Sequence, residues 1–126
     1  MNPNSRNVLA VLALGALSCG GVGTSRETAR DQATRVSCDW YLSAPCQGIN
    51  PYTSREMCEI DVRAKWENAW PPADCDGKID TTQLNICLSA ISATDCMSPL
   101  DILNTLANKC PKAKVCGATS SADGGP

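Results

Sequence analysis

The sequence predicts an all-α fold, a small bundle of about four short helices cross-linked by four disulfides. Three observations predict it. Apolar residues recur at steps of three and four along most of the chain, the period of one helix face. No segment alternates with the period of two that a half-buried strand shows. Nine cysteines sit among 126 residues, a density typical of small exported domains that cannot be held together by burial alone.

The elements follow in chain order. From Ser25 to Ala44, Ala29, Ala33, Val36 and Trp40 form an apolar stripe, with Arg26, Glu27, Arg30 and Asp31 off it. Pro45 and Gly48 end that pattern. Thr53 with Glu56 reads as a capping box, opening a helix whose stripe is Cys58, Val62, Trp66 and Ala69. Pro71-Pro72 stops it, because proline has no N–H to give a helix. Asp80 with Gln83 reads as a second capping box, followed by a face of Leu84, Cys87, Leu88 and Ile91. Ser98 then caps a helix with Pro99 at its first position. Its expected stripe is Leu100, Leu103, Ala107 and Cys110, and Pro111 closes it.

The N-terminus has the anatomy of an export signal. Met1 to Asn7 is polar with one cation, Arg6, and Val8 to Leu17 is an uncharged apolar run. That run is too short to cross a bilayer as a helix, which takes about 20 apolar residues. Gly15-Ala16-Leu17-Ser18-Cys19 resembles a lipobox, the motif cut just before a cysteine that carries lipid; Ala16 stands where leucine is usual. The resemblance implies a signal peptide over residues 1–18 and lipidation at Cys19. Gly20 in the following place, rather than aspartate, points to the outer membrane. Residues 19–25 then form the lipidated cysteine and a glycine-rich tether, residues 26–116 the disulfide-rich helical domain, and residues 117–126 a small, polar, disordered tail.

Lipidation of Cys19 leaves eight cysteines to pair: Cys38, Cys46, Cys58, Cys75, Cys87, Cys96, Cys110 and Cys116. Sequence alone does not choose among their connectivities. Cys87 and Cys110 both fall on expected inward stripes of consecutive helices, which favours that pair, and Cys96 in the short connection is placed to reach elsewhere. No two cysteines have the close spacing of zinc ligands or of a redox C-x-x-C.

Composition excludes several activities. The chain has no histidine, which removes histidine triads, histidine acid–base catalysis and Cys/His zinc sites. A formal charge of −2 offers no basic footprint for nucleic acid. No catalytic constellation and no cofactor motif is present. Asp74, Asp76 and Asp80 around Gly77 resemble part of an EF-hand calcium loop, making a calcium-stabilised module one alternative. Pro72 and Gln83, however, stand where that loop needs its first and last carboxylates. Glu56, Glu59, Asp61 and Glu67 crowd the second helix; they suggest an acid-dependent enzyme as another alternative, against a solvated face in which Arg55, Arg63 and Lys65 are interleaved. Trp70 beside Pro71-Pro72 is the candidate exposed aromatic for an interaction. Lys109, Lys112 and Lys114 suit the end of the last helix.

The cysteine spacings from Cys75 to Cys116, with Leu84, Cys87-Leu88, Ile91, Asp95-Cys96, Leu103 and Cys110-Pro111 between them, resemble a family of small cysteine-rich bacterial lipoproteins of unknown function. Some of its members are labelled natural product biosynthesis lipoproteins. The resemblance spans residues 36–116 and implies an extracytoplasmic helical disulfide domain without catalytic residues. The expectation is a non-enzymatic binding or accessory module, anchored to a membrane through Cys19, with an envelope protein or small molecule as partner.

Overall fold

A computed structural model of the chain describes residues 23–118. The expected signal peptide, the lipidation site Cys19, the first part of the tether and the tail from residue 119 lie outside them. Within them the architecture is all-helical: α1 (Arg26–Leu42), a 3₁₀ turn (Ala44–Ile49), α2 (Arg55–Ala69), α3 (Pro72–Cys75), α4 (Thr81–Ala93), α5 (Pro99–Lys109) and α6 (Lys112–Val115).

Each long helix starts where a side chain answers an orphan backbone N–H. Ser25 caps α1 by accepting from Thr28 N at 3.1 Å. Ser54, not Thr53, caps α2, accepting from Met57 N at 3.1 Å. Asp80 caps α4 through Gln83 N at 3.0 Å. At α5 the box is complete: Ser98 accepts from Leu100 N at 3.1 Å, and Asp101 reaches back to the Ser98 N–H at 3.1 Å.

The prolines that end the long helices also start new ones. Pro71 follows Trp70, and Pro72 opens α3; Pro111 follows Cys110, and α6 begins at Lys112. Proline cannot continue the preceding helix, but its fixed φ suits the first turn of the next. The two short helices are joined by Cys75–Cys116, with Cα atoms 4.8 Å apart.

α1 is the central element, packed on α2 on one side and α4 on the other. It is therefore buried on a broader arc than the single stripe predicted. Thr34, Ser37 and Cys38 are inside with Ala29, Ala33 and Trp40, while Val36 lies at the edge. α1 and α2 run antiparallel, bridged by Cys38–Cys58 at one end and by Arg26 against the Trp70 carbonyl at the other. α4 and α5 are antiparallel as well, joined by Cys87–Cys110 and by Thr94 with Thr105, 2.7 Å apart. Cys96 pairs with Cys46, tying the α4–α5 connection to the 3₁₀ turn. The chain has no phenylalanine, so the core takes its bulk from three indoles, each worth roughly 150–250 Å² of burial.

α5 departs from its expected orientation. Leu100, Leu103 and Ala107 are exposed; Ile102 is buried and Leu106 half-buried. Both Ile102–Leu106–Cys110 and Leu103–Ala107–Cys110 satisfy helical spacing. The inward face is the former, and α5 packs chiefly on α4.

Both ends of the domain close at one pole. Asp80 N donates to the Val115 carbonyl at 2.8 Å and Ala118 N to the Lys78 carbonyl at 3.1 Å, so the chain is ordered past Cys116. Gly23 passes so close that an added Cβ would lie 3.3 Å from the Ile79 carbonyl oxygen.

Candidate functional site

The acidic loop does not gather its carboxylates. Asp74 takes an ion pair from Lys112 at 2.9 Å, Asp76 accepts from Arg26 Nε at 3.1 Å, and Asp80 caps α4. Among the described residues no three acidic or cysteine side chains are grouped to hold a metal ion. Gly77 serves a turn instead. Asp76 (φ −62°, ψ 124°) and Gly77 (φ 72°) occupy the centre of a type II turn, closed by Lys78 N on the Cys75 carbonyl at 3.0 Å. The 72–75 stretch that would supply the start of a calcium loop is helical.

Three of the four acids of α2 are drawn into separate ion pairs. Glu59 binds Arg55 at 2.9 Å and Asp61 binds Lys65 at 2.9 Å, each one helical turn along. Asp61 also accepts from the Tyr52 hydroxyl at 2.5 Å. Burial, and then this carboxylate, push the Tyr52 phenol up to about 12. Glu67 accepts from Arg30 at 2.8 Å and pairs with Arg26 at 3.1 Å. Those two guanidiniums, Arg30 first, hold it below the usual carboxylate range.

Arg26, which the sequence places off the apolar stripe of α1, is only 5% exposed. Its guanidinium meets Asp76, Glu67, Glu27 and the Trp70 carbonyl, the last at 3.2 Å. A buried cation is tolerable only with such a set of acceptors. Its place directly after the N-cap Ser25 brings it to the pole where α2 ends, and no local pattern in the sequence marks that.

Trp70 is not an exposed aromatic; it has no accessible surface. It continues the column Cys58–Val62–Trp66 by one further step of four, packs against Trp66 with ring centroids 4.4 Å apart and the rings tilted by 39°, and donates its indole N–H to the Cys110 carbonyl at 3.1 Å. The proline pair beside it turns the chain without taking the ring out of the core.

The apolar surface open to a ligand lies elsewhere, beneath α5. A groove of about 300 Å³ runs between α5 and the α1–α2 pair. Trp40 and Trp66 contribute from α1 and α2, and Ile102, Leu106 and Ala107 from α5. Trp66 donates to Ser37 Oγ at 3.2 Å and Trp40 to the Thr94 carbonyl at 2.7 Å. Both indole N–H groups are thus used inside the fold, so the rings present carbon to the groove. Lys65 and Lys112 also line it, and no acidic residue does. A second hollow of about 290 Å³ shares Tyr41 and Ile102 with the first and is lined further by Ile49, Pro51, Pro99 and Leu103. Exposed Leu100 and Met97 lie within two residues of that second hollow's Pro99. Sequence periodicity could assign apolar residues to α5, but not the distance at which it stands from α1 and α2.

The fold and groove define a class: a disulfide-cross-linked helical domain with an apolar cleft under its outermost helix. The chain belongs to DUF6184, a family of unknown function, whose model matches residues 38–118. No curated protein and no solved structure matches it.

Proposed function

We propose that this protein is an exported lipoprotein, anchored to a membrane through Cys19, whose helical domain is a non-enzymatic binding module. The observation that carries the binding role is the groove under α5: concave, walled by two tryptophan rings and held in a cross-linked frame. Its volume stands at the low end of small-molecule sites, about 300–1,000 Å³. The separate pairing of Glu59, Asp61 and Glu67 with cations supports a role without acid catalysis. Four disulfides favour a compartment outside the cytoplasm, and among the described residues no helix is long and apolar enough to cross a membrane.

The apolar run Val8–Leu17 followed by Ser18-Cys19 supports the anchor, and Gly20 supports the outer membrane as its destination. Gly23 is four residue steps from Cys19, which spans about 14 Å when fully extended. The pole around Ile79 is then held close to the bilayer. The resemblance to natural product biosynthesis lipoproteins makes the ligand of such a pathway one candidate for the groove.

Native mass spectrometry of the membrane-extracted protein tests this reading. The expected result is a lipid-modified Cys19, eight thiols reachable only after reduction, and a bound small molecule absent from an Ala107→Trp variant that fills the groove. An unlipidated mass or thiols free without reduction would overturn the exported lipoprotein. The same adduct on both proteins would overturn the groove as the binding site.

A further inference from the structure

The groove is more selective than its apolar walls alone would make it. We infer that it takes an amphiphile with an anionic head, a medium acyl chain or two-ring apolar system ending in a carboxylate, seated on Trp40 and Trp66 with its charge toward Lys65 and Lys112. The inference rests on the groove being the binding site.

Charge placement carries it. The protein as a whole is acidic, with 13 acidic against 11 basic side chains. The residues lining this groove reverse that balance, with two lysines and no carboxylate. Each lysine has an acidic partner, Asp61 for Lys65 and Asp74 for Lys112, both at 2.9 Å. Those acids lie outside the lining, so of each pair it is the lysine that borders the groove. An ammonium has three N–H donors, and one hydrogen bond to a carboxylate leaves two. Asp61 also keeps the Lys65 ammonium above the usual lysine range, so it stays charged.

Size limits the apolar part. At ~30 Å³ for a water-sized group, the groove holds about ten such groups, a medium acyl chain or a two-ring system rather than a whole phospholipid. The neighbouring hollow, which shares Tyr41 and Ile102, has no charged residue in its lining. The head group therefore belongs at the Lys65–Lys112 side.

Three probes of equal chain length separate charge from apolar contact: decanoate and decyltrimethylammonium below their micelle concentrations, and decanol below its solubility limit. Binding is read from the indole N–H resonances. Trp40 and Trp66 line the groove, and Trp70 does not. Decanoate is expected to shift Trp40 and Trp66 and spare Trp70, with at least tenfold higher affinity than the other two probes. Lys65→Met with Lys112→Met should bring decanoate down to the level of decanol, while a circular-dichroism melt shows the variant folded. Equal affinity for all three probes overturns the anionic assignment and leaves the groove standing. Binding of none of them overturns the groove itself. Decanoate binding that survives both lysine replacements also rejects the assignment.

Discussion

The Trp70 indole N–H donates to the Cys110 carbonyl across 3.1 Å, joining the end of α2 to the end of α5 inside the core. The bond ties the two helices at a buried point, because the carbonyl belongs to the half-cystine that binds α5 to α4. Trp70→Phe keeps most of the ring contact with Trp66 and removes the donor. An unsatisfied buried carbonyl costs about 1–3 kcal/mol, and each kcal/mol moves the melting temperature of a domain this size by about 4–8 °C. A thermal melt of the variant should fall by at least several degrees. An unchanged midpoint would mean that the Cys110 carbonyl finds another partner.

Two glycines give opposite predictions for the same substitution. Gly77 sits at φ 72° in the type II turn, where a Cβ meets no neighbour but the backbone conformation itself is costly. Gly77→Ala should destabilise by about 1–2 kcal/mol. Gly48, in the 3₁₀ turn, has nothing within 4 Å of an added Cβ and no positive φ; Gly48→Ala should be neutral or stabilise by up to about 1 kcal/mol. Urea unfolding of the two variants side by side checks the pair. Equal destabilisation would refute the conformational account. Gly117→Ala offers a third case, a steric one, with the new Cβ placed 2.6 Å from the Ala113 carbonyl oxygen.

The helices, and among the disulfides the Cys87–Cys110 pair, were legible because they rest on local rules. Ser25, Asp80 and Ser98-Pro99 carry capping chemistry, and the step of three or four places Cys87 and Cys110 on facing helices. The α2 cap shifted by one residue because Thr53 and Ser54 are chemically equivalent candidates. Other features depend on tertiary distance. The face of α5 was ambiguous because Leu103 and Leu106 both keep helical register with Cys110. Burial of Arg26 needed acceptors from α2 and the Asp76 turn, far away in sequence. Trp70 looked exposed beside two prolines, although its step of four from Trp66 already placed it inward. The groove is a spacing between helices, and no periodicity encodes it.

Acid should weaken the fold through three carboxylates. Glu67 beside Arg30 and Arg26, Asp31 beside Arg30, and Asp61 beside Tyr52 and Lys65 are all held below their ordinary range. Carboxyl groups in the unfolded chain titrate near pH 4. A depressed folded value means that the unfolded chain binds protons first as pH falls, so the stabilisation is present above about pH 4 and is lost below it. The urea midpoint should be steady from pH 7 to about 5 and decline toward pH 2.5. Glu67→Gln should lower the midpoint at pH 7 and flatten the acid decline. Parallel pH profiles for the two proteins would show that the Glu67 pairs do not contribute.

The outermost helix depends on its cross-links more than on burial. Ile102 is the one residue of α5 that is fully buried, whereas α1 buries seven. Cys96 and Cys110 flank α5 and fasten it to Cys46 and Cys87. Removing a bridge that closes a loop of this size releases about 3–4 kcal/mol of loop-closure entropy to the unfolded chain. In a domain of about 5–15 kcal/mol total stability that loss is large, and it should fall unevenly. In a Cys87→Ser, Cys110→Ser variant, α5 should open without the rest, because Cys38–Cys58 still joins α1 to α2. Hydrogen exchange should then show the α5 amides losing protection while those of α1 keep most of theirs. The groove should disappear in the same step, because α5 is its outer wall, and decanoate should no longer shift the Trp40 and Trp66 indoles. Uniform loss of protection across all helices would mean that the domain unfolds as one unit, with α5 held as firmly as the rest.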